Sequence, residues 1–255
     1  FCKAISWNCK GEYYVRHCYY DGQQLRIMPG CEPFPDIHII PIACLIDGET
    51  FYEGKVLTAE EFYRQLASDA DCQHFSPLPG DVMDMWSSLL RDYKELVYIP
   101  MSSGLSTSCA SALALASEGE FEGRVHVVDN HRISVTQTQS VLDAHFLAEE
   151  GKTGRQIKEH LEEEALDASI YIAVDTLKYL KRGGRITPAA AAVSTVLNLK
   201  PVLTIQGDKL DAFAKVRGMK AAFRTMCKAV EKDIDTRFSH LRDAGVLKLG
   251  MAETA

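Results

Sequence analysis

Residues 169–222 read SIYIAVDTLKYLKRGGRITPAAAAVSTVLNLKPVLTIQGDKLDAFAKVRGMKAA, and their reading decides the fold. The apolar, β-branched run 170–174 predicts a buried strand. A short helix follows and stops at Lys181-Arg182-Gly183-Gly184-Arg185, because glycine takes the left-handed backbone that ends many helices. Thr187-Pro188 opens a second helix, with proline at the first helical position, where its missing N–H costs nothing. The Ala-rich run 189–199 predicts a packed helix, too short for a bilayer span. Two strand-like runs, 201–205 and 210–215, flank a Gly207-Asp208 hairpin turn. Two glycines between two arginines also let guanidinium groups and backbone amides converge on a small anion.

Upstream the chain alternates strand and helix. Residues 37–45 predict a buried strand, and Asp47-Gly48 turns it into a hairpin arm. Thr58 and Glu61 form a capping box that opens a helix to about residue 67. Pro77-Leu78-Pro79-Gly80 is a stiff loop delivering a helix over 81–92. A strand over 95–99 stops at Pro100, an Ala-rich helix runs to 117, and a strand follows over 125–128. Ser134 is the expected cap of a helix to 150, and Thr153 opens an acidic helix to 166. That rhythm predicts a parallel sheet covered on both faces. It changes after Asp167. The expectation is an α/β chain: an N-terminal α/β/α domain over 1–166 with a mainly parallel sheet, then a smaller α+β domain over 167–255. Residues 1–30 yield no element.

With 255 residues the chain can bury a sizeable core. A net charge of −7 argues against a nucleic-acid partner, which calls for clustered Lys and Arg. No apolar run is long enough for a membrane segment. The eight cysteines form no CxxC pair and fit no zinc framework, so reduced structural thiols are expected and no metal. The chain opens Phe1-Cys2-Lys3 without a signal pattern, and leading residues are expected to be missing.

Two sites could carry chemistry. At Met101-Ser102-Ser103-Gly104-Leu105-Ser106, a strand passes into a helix where free N–H groups and hydroxyls suit a carboxylate or phosphate. Serines before a helix also commonly satisfy that helix alone. The loop is neither a GxxxxGK[ST] loop nor a GxSxG elbow, and only His74 or His131 could serve it as a base. Arg182-Gly183-Gly184-Arg185 is the second site. Lys215-Val216-Arg217-Gly218-Met219-Lys220 is a basic cluster, readable as a solvated helix start or a partner surface.

In this order the motifs resemble the DegV family of bacterial fatty-acid-binding proteins, over roughly residues 36–222. Residues 48–62 are similar to its turn-plus-TxEEFY segment, Ser102–Ser106 to its SSGLS loop and Val127-Val128-Asp129 to its VVDS strand end. Leu180–Ile186 resembles LKxGGRI, and 200–220 resembles KPILxxxxGxxxxxxKVRGxKK. The resemblance implies a long-chain fatty acid, of C16–C18 type, held between the two domains, and no catalytic cofactor. Its carboxylate would be presented to a separate fatty acid kinase that forms the acyl phosphate, in the bacterial cytoplasm, the chain itself being no catalyst.

Residue by residue, Ser106 matches the family's carboxylate-binding serine, with Ser103 and Gly104 in the same loop. Arg185 matches its carboxylate-side arginine, and Arg217 its kinase-docking arginine. The family's carboxylate-binding threonine falls on His74, where a protonated ring would pair with the acid and a neutral one offers a single N–H donor. The family's SxGxG helix start is Ser134-Val135-Thr136-Gln137-Thr138 here, so two threonines stand where glycines could leave room for an acyl chain. The alternative is a phosphotransfer or acyl-transfer enzyme using the Ser102–Ser106 loop as an anion cradle.

Overall fold

The computed structural model describes residues 2–4, 19–21, 24–26, 34, 36–40, 43–52, 64–65, 68, 72–74, 76–191, 199–205 and 209–253. The expected helix over 58–67 and the Gly207-Asp208 turn lie mostly outside these residues.

Two sheets frame the site. In the first half, β7 (Leu96–Tyr98) and β8 (Val125–Val127) run parallel. The pair packs apolar side chains on both faces. Leu96 and Tyr98 pack toward Trp86 and Val82 of α1 (Pro79–Leu89) and Cys109 of α2 (Ser108–Ala116). Val97 and Ile99 pack toward Ala144 of α3 (Ser134–Glu149) and Ile157 and Leu161 of α4 (Gly154–Glu163). Helices cover both faces, as the strand–helix rhythm predicts. Thr153 caps α4 in a full capping box with Gln156.

Beside this pair, β4 (Ala43–Ile46), β5 (Glu49–Tyr52) and β6 (Cys72–His74) form an antiparallel sheet in the order β5-β4-β6. Asp47 and Gly48 both have positive φ (48° and 88°), the two-residue turn that matches strand twist. The strand expected over 37–45 is shorter: residues 37–40 are irregular and β4 starts at Ala43, past Pro41, which has no N–H for a ladder. Ser134 is not the cap of α3 either. The cap position is Ile133, no side chain caps it, and Ser134 itself has φ 58°.

In the second half, β9 (Ile170–Val174), β10 (Leu199–Ile205) and β11 (Asp211–Arg217) pair antiparallel, and β1 (Cys2–Ala4) and β12 (Ala252–Glu253) extend the sheet as β11-β10-β9-β1-β12. Leu199 thus begins a strand, where the sequence had suggested a helix end. One face is closed by α7 (Met219–Asp235), through Ala222, Met226 and Ala229. The other face carries Ile170, Val174, Leu203 and Ile205, with Leu177, Ile186 and Ala190 from α5 (Lys178–Gly183), α6 (Pro188–Ala191) and the link between them. Leu105, with Met101 and Ile133, enters this cluster from the first half. That shared core brings the serine loop to the glycine turn.

Candidate functional site at the junction of the two halves

The serine loop is fixed by its own hydrogen bonds. Ser102 is fully buried, and its amide donates to the Arg132 carbonyl at 3.1 Å. Its carbonyl accepts from the amides of Leu105 (3.0 Å) and Ser106 (3.1 Å), and its hydroxyl accepts from the Gly104 amide (3.3 Å). The Ser103 amide donates to Asp129 at 3.4 Å. Every amide from 102 to 106 therefore has an acceptor inside the protein, so an anion would meet side chains here rather than the backbone cradle the motif suggests. Ser106 Oγ accepts from the amide of Ser108, the first residue of α2, at 3.1 Å, and lies 3.2 Å from Ser76 Oγ.

The two glycines of the facing turn have separate tasks. Gly184 has φ 68° and its amide donates to the Lys181 carbonyl, the left-handed stop of α5. Gly183 makes room: a Cβ there would lie 3.0 Å from the Arg185 guanidinium and 3.2 Å from its Cδ. Arg185 folds back across it, donating from a terminal nitrogen to the Gly183 carbonyl (2.7 Å) and from Nε to the Leu105 carbonyl (3.4 Å). Its backbone is clamped to the start of β11, with the Leu210 amide donating to the Arg185 carbonyl at 3.1 Å. Leu105 is thus anchored in the shared core and also accepts from Arg185, which ties Arg185 to the residue before Ser106.

Ser106 and Arg185 line one cavity of about 910 Å³. Its mouth end also carries Ser76, Ser108 and Ser134. From there it runs between β7 and α3, walled mainly by apolar side chains such as Ile99, Leu96, Val141 and Ala148, with Trp86 and Leu89 of α1. Two bonds set the register of these walls. Gln137 donates to the Ile99 carbonyl at 3.1 Å, and the Gly154 amide donates to the exposed Glu95 carboxylate at 2.7 Å. The lining on α3, from Ser134 to Ala148, covers about 21 Å at helical rise. The lining from Met101 back to Glu95 covers up to about 20 Å at strand rise. Burial, with the neighbouring Cys109 adding to it, pushes the Tyr98 phenol in the wall up to about 12, so it stays neutral.

Other expected residues fall elsewhere. Ser103 and Gly104 shape the loop without lining the cavity. His74 closes β6, with its side chain outside the described residues. Arg217 ends β11, exposed. Thr136 and Thr138 turn back to their own helix, donating to the carbonyls of Ile133 (2.8 Å) and Ser134 (3.3 Å), and neither lines the cavity. Past residue 166, Arg185 alone lines it among the described residues. The cavity therefore lies within the first half, with its mouth closed from the second, rather than evenly between the two.

Ser76 was not singled out from the sequence. Its hydroxyl bridges Ser106 Oγ and Thr107 Oγ1, each at 3.2 Å. The legible signals are its place before Pro77, which holds it extended, and its position two residues after His74. Near the loop, His131 stands with Ser103 and Asp129, but Ser103 Oγ (3.5 Å) and Asp129 Oδ1 (3.9 Å) both approach Nδ1. A serine–histidine–aspartate relay uses the two ring nitrogens separately. No group of three or more side chains able to hold a metal ion occurs among the described residues, and none of their helices is long and apolar enough to cross a membrane.

Residues 35–242 match the model of the DegV family of uncharacterised proteins. A DegV domain-containing protein of Staphylococcus aureus is 35% identical over 201 residues, covering 76% of this chain and 68% of the relative. Among solved structures, a fatty-acid-binding DegV family protein from Thermus thermophilus is similar at 32% identity and a TM-score of 0.68, covering 76% of this chain and 69% of that one. DegV from Bacillus subtilis, a fatty acid binding protein, is similar at 27% identity and a TM-score of 0.67, covering 78% and 71%.

Proposed function

The chain belongs to the DegV family, and from that premise we propose that it binds one long-chain fatty acid with the carboxylate at Ser106 and Arg185. The observation that carries the reading is that these two residues, from opposite halves of the chain, share one cavity whose remaining walls are mainly apolar. Arg185 brings a fixed positive charge and Ser106 a hydroxyl, which together keep a carboxylate from being stranded. Ser76 adds a second hydroxyl 3.2 Å from the first. His74, at the position of the family's carboxylate-binding threonine and two residues before Ser76, is the further carboxylate partner in this reading. At about 1.25 Å per carbon step, an extended C16 acid is about 19 Å long and a C18 acid about 21 Å, which suits walls of about 20 Å. Burying such a tail gains roughly 10 kcal/mol gross, comparable with the cost of association.

The same reading makes the chain a carrier with no turnover of its own, working in the cytoplasm. It divides into a closing domain over 167–255, which takes in β1 as a strand of its sheet, and a binding domain from the rest of 1–166. A partner kinase would reach the carboxylate at the mouth, with Arg217 on its docking side. Native mass spectrometry and solvent extraction of the purified protein test the core of this reading. One long-chain acid per chain is expected, and well-folded protein that neither carries nor takes up such an acid overturns it.

A further inference from the structure

We propose that the acid this cavity takes carries a hydroxyl group about ten to twelve carbons from its carboxylate, received by the backbone of Val97 on the open edge of β7. The proposal rests on the fatty-acid reading and narrows the ligand class within it.

Every residue from Lys94 to Met101 lines the cavity, although successive side chains of a strand point to opposite faces. Only the strand's edge is common to them all, so the cavity runs along an edge of β7. It is the edge away from β8. The Leu96 amide donates to the Arg124 carbonyl at 2.8 Å and the Val128 amide to the Tyr98 carbonyl at 2.9 Å, so Leu96 and Tyr98 turn their backbone groups to β8. Val97, between them, turns its N–H and C=O the other way, and neither has a partner among the described residues.

Two residues on, the same edge presents the Ile99 carbonyl, which accepts from Gln137. The protein thus supplies a side chain to that group and none to Val97. The wall also carries a polar pair at the depth of Val97. Buried His145 brings Nδ1 to 2.7 Å from Asp36 Oδ2, both residues line the cavity, and the adjacent Ala144 packs with Val97. A bare hydrocarbon tail would shut water away from the Val97 amide and carbonyl and return nothing. A hydroxyl can accept from the amide and donate to the carbonyl. Val97 lies four residues from Met101, about 13 Å from the end that holds Ser106 and Arg185, and at about 1.25 Å per carbon step this sets the hydroxyl's place along the tail.

The test offers an equimolar mixture of stearate and 12-hydroxystearate to the delipidated chain and reads the retained acids by native mass spectrometry. An apolar wall alone would favour stearate by about tenfold or more. Wild type is expected instead to favour the hydroxylated acid by about threefold or more. Val97→Pro removes the edge N–H without costing a ladder bond to β8, and should turn the ratio in favour of stearate. Should Val97→Pro fail to fold, isotope-labelled wild type is read by NMR. The Val97 amide proton is then expected further downfield with 12-hydroxystearate bound than with stearate. Preference of wild type for stearate, an unchanged ratio in folded Val97→Pro, or a Val97 amide signal that is the same with both acids overturns the proposal. Retention of neither acid by well-folded wild type removes the underlying reading instead.

Discussion

The loop bearing Ser106 and the turn bearing Arg185 face each other across one mouth but are held there differently. The loop's amides are all used internally, its first serine is fully buried, and Ser106 Oγ accepts from the first amide of the helix that follows. The turn depends on two absent side chains, on a guanidinium hydrogen bond to its own Gly183 carbonyl and on a second, longer one to the Leu105 carbonyl. The hydroxyl is therefore set by the first half alone, whereas the guanidinium is set by its own turn and by contact between the halves. The contrast makes the turn the weaker partner and Leu105 the link.

Substitutions should expose that inequality in a graded way. Leu105→Ala empties a side chain that is 7% exposed in the shared core, and a loss of about 2–5 kcal/mol is expected by urea unfolding, together with weaker acid retention. If retention falls while stability does not, Leu105 is not the link. Arg185→Ala removes the one charged partner proposed for the carboxylate while leaving an exposed site. Affinity for palmitate should drop by roughly 10- to 100-fold by calorimetry, with little change in melting temperature. Arg185→Lys should recover only part of it, because an ammonium lacks the fork.

Gly183→Ala places a methyl where the arginine folds back. Affinity is expected to fall by about tenfold, with the Ser106 side of the mouth untouched. Gly184→Ala, at φ 68°, should cost about 1 kcal/mol of stability and less affinity than its neighbour.

The smallest effect concerns pH. Thr187 Oγ1 donates to Asp211 Oδ1 at 2.5 Å and the Ala212 amide donates to the same oxygen at 2.8 Å, which holds the carboxyl below its usual range. A carboxyl lowered by folding stabilises the native state above its unfolded value, near 4, and the contribution fades as pH falls through the folded value. Asp211→Asn should flatten the melting curve's dependence on pH between about 5 and 3, at the end that clamps Arg185.

What could be read in advance follows the reach of each signal. Strand β9, the glycine stop, the Pro188 start and strands β10 and β11 are written in local terms: alternation, a left-handed residue, a ring that cannot donate. The pairing of Ser106 with Arg185 was legible only through family resemblance, since no spacing along the chain shows that Leu105 enters the other half's core. Ser76 escaped because its role comes from a partner thirty residues away, Ser106. Ser134 misled for the opposite reason. Its type fits a cap, but its backbone is left-handed and Ile133 takes the cap position.

One irregularity in the second sheet reaches further than its size. The ladder between β10 and β11 steps from Val202↔Ala214 to Leu203↔Ala212, leaving Phe213 without a partner opposite it. Ala212 packs with the cluster that holds Leu105 and Ile186, whereas Ala214 and Val216 pack on the α7 side. Lys215 and Arg217 therefore emerge on the face that carries Leu203 and Ile205. A regular ladder that paired Phe213 would put the rest of the strand half a period out of phase and turn both positive charges to the α7 side.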